Sequence, residues 1–262
     1  MIEQAEDFRE ECDALYRILE PLDDKDFEKK TLFKQWTLND VLGHLHVWNW
    51  AANASLVDEP AFKSLMDRFG GHSDMNAAER SETGGASGKA LLKLWHDYYG
   101  EMADNFHQAD PKKRLLWAGP TMSARSSVSA RLMETWSHSQ AIYDVLGLER
   151  VSTDRVKNIV VLGINTYGFC YANRGLEPPG PIPLVRLTGP SGAVWTMTEP
   201  NETDRIEGDA VEFCQVITQC RNIADTSLKV EGEVAKNWMS IAQCFAGPPE
   251  TPPPPGARHR AS

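Results

Sequence analysis

Glu134 and His138 stand four residues apart in Arg131-Leu-Met-Glu-Thr-Trp-Ser-His138. If that segment is a helix, both side chains leave one face, a turn apart. A carboxylate and an imidazole placed so could grip one metal ion, with a third ligand from another element. The candidate is His44, in Trp36-Thr-Leu-Asn-Asp-Val-Leu-Gly-His44-Leu. Two histidines and one carboxylate suit catalytic zinc, which keeps its remaining positions for water or substrate. Blander readings stay open on pattern alone. A histidine on an apolar helix face is more often a satisfied core residue, and Glu134 with His138 could be a helix-surface pair.

These residues need long helices to hold them, and the chain supplies the periodicity. Phe8, Cys12, Leu15, Tyr16 and Leu19 recur at helical spacing over residues 2–20, and Pro21 ends the run. Thr37-Leu-Asn-Asp40 reads as a capping-box start for a helix to about residue 57, with Val41, His44, Trp48 and Ala51 on one stripe. His46 falls off that stripe. Leu92, Trp95, Tyr99, Met102 and Phe106 mark a helix over 89–108. The helix carrying Glu134 and His138 spans 126–146, with Gly147 as its C′ residue, and a fifth covers 153–173. Residues 70–88 are rich in turn formers. They read as a surface loop with a short helix near Ala77.

Arg174 to Pro183 holds four prolines and two glycines in ten residues, the clearest boundary signal in the chain. Beyond it, Leu184–Thr188 and Ala193–Met197 read as a hairpin, and 209–220 and 234–245 as helices. The expected organisation is therefore a mainly α region at 1–175, a linker at 176–183 and a small α/β (α+β) domain at 184–246. A disordered proline-rich tail is expected at 247–262.

Composition narrows the function. A net charge of −10 over 262 residues leaves no basic excess for a nucleic-acid backbone. No apolar run is long enough to span a membrane, and the acidic start does not read as a signal peptide. Five scattered cysteines without a C-x-x-C pair suit reduced thiols in the cytoplasm. The sequence gives no indication of oligomeric state.

The stretches around His44 and Glu134/His138 resemble the DinB-like superfamily, and more closely its mycothiol-dependent maleylpyruvate isomerase branch. The resemblance implies an up-and-down four-helix bundle with a divalent metal, most readily zinc, on His44, Glu134 and His138. A small C-terminal α/β domain belongs to the same pattern. It also implies a low-molecular-weight thiol such as mycothiol as co-substrate and a small-molecule electrophile as substrate. A zinc-bound thiol ionises near neutral pH and becomes a nucleophile. The expected activity is thus a metal-dependent thiol S-transferase or isomerase. The alternatives are a metal-dependent hydrolase using bound water, or a non-catalytic, metal-stabilised bundle whose C-terminal domain binds a lipid or a partner. Arg125 and Arg131 are candidates for holding a substrate carboxylate, and Trp48 and Trp136 for walling a pocket. The segment from Val194 to Gly247 also resembles a small domain named for wyosine-base formation in tRNA-modifying enzymes, against which the acidic charge speaks.

Overall fold

The computed structural model describes residues 1–70 and 75–261, which divide into two compact units, Met1–Val145 and Leu146–Ser262. Residues 71–74 of the turn-rich stretch at 70–88, His72 among them, lie outside the described residues.

The first unit is built on four long helices: α1 (Gln4–Leu19), α2 (Leu38–Val57), α5 (Gly88–Gln108) and α6 (Ala124–Val145). Two shorter ones, α3 (Glu59–Phe69) and α4 (Met75–Glu82), fill the crossover between α2 and α5. Each long helix turns its apolar stripe inward. Phe8, Cys12, Leu15, Leu42, Leu45, Trp95, Phe106, Leu132 and Trp136 are all essentially inaccessible to solvent. In the ring of four, α1 and α2 each pack against both α5 and α6.

The four-helix bundle read from the sequence is present, with one directional feature. Gly88 N donates to Asn39 Oδ1 at one end of the α2–α5 pair, and Asn105 Nδ2 donates to Asn53 Oδ1 at the other. These helices therefore run parallel, and α3 and α4 carry the chain back between them. Ile2 N meets His107 O, so α1 runs against α5. A two-residue antiparallel pair, β1 (Arg114–Leu115) with β2 (Met122–Ser123), leads into α6.

The second unit holds a four-stranded sheet of order β4-β3-β5-β6. The expected hairpin is β3 (Leu184–Thr188) with β4 (Val194–Thr196), and its turn uses Gly192 at φ 85°. β5 (Arg205–Asp209) lies parallel to β3, and β6 (Lys229–Glu231) closes the other edge. Val185, Leu187 and Ile206 bury one face. Helices α7 (Lys157–Asn165), α8 (Tyr167–Ala172), α9 (Ala210–Ile217) and α10 (Glu233–Ile241) complete the unit.

Three expectations are corrected here. The division between the units falls after Val145, not across 176–183, because α7 packs on α9 and α8 on α10 within the second unit. The proline-rich stretch is thus a turn inside the second unit: Tyr167 Oη donates to the carbonyl of Gly180. The single helix expected over 153–173 is broken at Thr166, whose hydroxyl donates back to the carbonyls of Leu162 and Gly163. The tail is seated rather than disordered. Arg174 and Gln219 both donate to the Glu250 carbonyl, Asn222 donates to the carbonyl of Pro253, and Pro253 itself is buried.

Candidate metal centre

α2 is fixed at its start. Thr37 Oγ1 accepts from Asp40 N at 3.1 Å, and Asp40 Oδ2 accepts from Thr37 N at 2.9 Å. Asp40 also accepts from Arg80 on α4 at 2.8 Å. With its first turn held from two sides, α2 presents His44 one turn further on. α6 presents Glu134 and His138 from the facing helix.

The three side chains converge. Glu134 Oε2 lies 3.1 Å from His138 Nε2 and 3.9 Å from His44 Nε2. One donor atom from each falls within 4.8 Å of the others. Their side chains keep only 12–19% exposure, so the cluster is sunk but open on one side. The imidazoles are 4.7 Å apart between centroids.

The electrostatics couple the three side chains to one another and to Glu79 and Arg131. Burial opposes ionisation of Glu134. His138 at 3.1 Å, with His44 nearby and the charge of Arg131, holds it well below the usual carboxylate range. Burial likewise works against protonated His44, but Glu79 and Glu134 outweigh it and push that imidazole up to about 9. His138 moves the other way, lowered by burial and by the charges of His44 and Arg131, against its bond to Glu134. Two carboxylates, Glu79 and Glu134, thus sit with one fixed buried cation, Arg131. Two imidazole nitrogens and a carboxylate oxygen suit zinc or a similar divalent ion, which would take the place of the His44 proton.

The remaining candidates separate. Trp48 is at the site: its ring centroid lies 6.2 Å from that of His44, and its Nε1 donates to Glu79 Oε1. Arg131 lies beneath the site, 2% exposed, with Nε donating to Asn49 Oδ1 at 3.0 Å. That placement makes it a charge-balancing group rather than an accessible carboxylate anchor. Arg125 is exposed in the first turn of α6. Nine residues separate it from Glu134, about 13 Å along the helix, so it is not with the triad. Trp136 is 1% exposed, in the bundle core, because two residues on from Glu134 is the far side of α6. His46 also stays apart, its ring against Tyr98 and its pKa lowered by burial to about 4.

Three residues at the site carry no role in the sequence reading. Glu79 reaches in from α4, with Oε1 2.8 Å from His44 Nδ1. Trp36 lies parallel to the His138 ring at 5.7 Å, and Phe33 meets the same ring edge-on at 5.1 Å. Both come from a turn in which Lys34 and Gln35 adopt positive φ of 49° and 59°, a conformation costly for residues with a Cβ. The turn is held at its base by Thr31 N donating to the carbonyl of Trp36. Trp36 opens the quoted motif, so its position was a usable signal. Glu79 had none beyond the short helix expected near Ala77.

All five cysteines are buried, and burial raises the thiols of Cys12, Cys170, Cys214 and Cys220. None stands in the cluster as a ready thiolate. In the native protein at pH 8, a disulfide reagent should react slowly, and all five thiols should titrate once the chain is unfolded. One fast-reacting native thiol would restore the case for a nucleophile supplied by the protein.

Comparisons with known proteins agree with this architecture. Two solved structures share the fold: the mycothiol-dependent maleylpyruvate isomerase (TM-score 0.53) and a variant of it (TM-score 0.51). Each is 16% identical and aligned over 82% of this chain and 87% of the other. The uncharacterized proteins MT0041 and Rv0036c of Mycobacterium tuberculosis, strains CDC 1551 / Oshkosh and ATCC 25618 / H37Rv, are each 34% identical over 247 residues. Those alignments span 93% of this chain and 95% of each relative. The mycothiol maleylpyruvate isomerase N-terminal domain matches residues 8–143, the span that contains His44, Glu134 and His138, and the chain belongs to that family.

Proposed function

We propose that the protein is a metal-dependent enzyme that uses a low-molecular-weight thiol, mycothiol or a close analogue, to isomerise or S-conjugate a small electrophile. The observation that carries this is the convergence of His44, Glu134 and His138 inside the matched domain. These three residues would hold the ion, with zinc the preferred metal. When bound, the ion would act as a Lewis acid that favours the thiolate form of the thiol at neutral pH.

The chain's own residues do the rest. Glu134 keeps a full negative charge between the two imidazoles. Phe33 and Trp36 pack on His138 and keep water from that side of its ring. Arg131 offsets one of the two carboxylates from below. Partial exposure of the triad leaves a side open to thiol and substrate, which favours catalysis over a closed structural ion. The buried cysteines leave the nucleophile to be supplied from outside. No helix among the described residues is long and apolar enough to cross a membrane. We place the enzyme in the cytoplasm on its buried cysteine thiols, which suit a reducing compartment.

The test is elemental analysis of the purified protein, followed by a panel of mycothiol, bacillithiol and glutathione with maleylpyruvate and other activated alkenes. Turnover should require both metal and one of the thiols. Metal-dependent turnover without thiol would assign a hydrolase. A fully loaded protein inert to the whole panel would favour the binding reading.

A further inference from the structure

We propose that Glu79 is a positioning residue for the metal centre: its carboxylate orients His44 and, through its charge, strengthens that imidazole as a ligand. The inference rests on reading His44 as a ligand and adds the outer partner that makes it one.

Glu79 is 2% exposed, on an eight-residue helix whose other buried residue is Ala78. Burying a carboxylate is costly unless its oxygens are satisfied. Its Oε1 is satisfied twice, by His44 Nδ1 and by Trp48 Nε1, each at 2.8 Å. Those two residues are one turn apart on α2, so a single oxygen bridges the face that carries the site. A proton on Nδ1 donated to Glu79 leaves the lone pair on Nε2, the nitrogen that faces Glu134. The carboxylate–histidine pairing is a general means of fixing a ligand's tautomer and raising its basicity. α4 is anchored to deliver it. Arg80 pairs with Asp40 at the start of α2, and Arg68 of α3 pairs with Glu82 at 2.7 Å. The two histidines are therefore held by different means: His44 by a charged hydrogen bond, His138 between aromatic rings.

The deciding variant is Glu79→Gln in the full chain, which keeps an acceptor for both bonds and removes the charge. Zinc affinity would be measured by competition with a chromophoric chelator, apo melting temperature by circular dichroism, and the His44 ring by nitrogen NMR of the zinc-loaded protein. Zinc should bind about tenfold more weakly, with the apo protein still folded by circular dichroism. Glu79→Ala should lose more affinity and also the slowly exchanging Nδ1 proton of His44. If Glu79→Gln binds zinc within twofold of wild type, the inference is overturned, whether or not Glu79→Ala folds. If wild type takes up no zinc at all, the metal reading itself fails and this inference falls with it.

Discussion

His138→Ala should purify folded, nearly free of divalent metal, and without thiol-dependent turnover. The substitution removes one of three protein donors, so affinity should fall by on the order of 100-fold or more, beyond the loss expected for an outer partner. Folding should survive because the bundle does not depend on the ion. Trp95, Phe8, Leu15, Phe106 and Leu132 are fully or almost fully buried, and each large apolar side chain contributes roughly 1.5–3 kcal/mol. Several such residues exceed what a zinc-finger-sized chain can bury, so the protein should not share that class's unfolded apo state. The helical circular dichroism of His138→Ala should therefore match that of wild type. The melting temperature should lose only the increment that metal adds by binding the folded state. Retained metal would remove His138 from the ligand set. Loss of metal together with loss of fold would make the ion structural.

Glu134→Gln should show a different signature. The amide fills the same space but brings no charge to a buried site whose second carboxylate, Glu79, is engaged with His44 and Trp48. Metal should bind on the order of 100-fold more weakly, the upper end of what an outer partner costs, and turnover at subsaturating metal should fall in proportion. At saturating metal the ion should be more electrophilic, so the pH profile of any remaining activity should shift to lower pH. The apo protein should also change, because the carboxylate that helps raise the His44 pKa is gone. An unchanged metal affinity would mean that Glu134 is an ordinary helix-surface acid paired with His138.

The parts of this account that were legible in the sequence depend on local rules. His44 could be phased because Thr37 and Asp40 cap α2, and the cap sets which residues face inward. Glu134 and His138 could be paired because helical spacing alone puts them on one face. Gly147 at φ 68° ends the α6 segment as its residue type suggests, and Gly192 does the same service in the β3–β4 turn. What stayed hidden depends on tertiary structure. Glu79 sits on a helix too short, and too polar, for periodicity to show which residue turns inward. Arg131 shares a face with Glu134, but spacing cannot say that one turn deeper on that face is the bundle interior. The proline-rich stretch at 174–183 looked like a domain linker because composition reports turns, not what lies on either side. Its true neighbours are set by α7 against α9 and α8 against α10. The tail read as disordered for the same reason: nothing local reveals that Arg174, Gln219 and Asn222 will take its carbonyls.

The most direct test of the central claim is X-ray absorption on the zinc-loaded protein with and without mycothiol. Without thiol, the spectrum should show two imidazoles and a carboxylate oxygen bonded to zinc, with light oxygen or nitrogen scatterers completing the set. With mycothiol, a sulfur scatterer should appear directly bonded to the metal at about 2.3 Å, and it should be absent from His138→Ala. A spectrum that fails to show two imidazoles, or that mycothiol leaves unchanged, would contradict a thiol-dependent enzyme built on His44, Glu134 and His138.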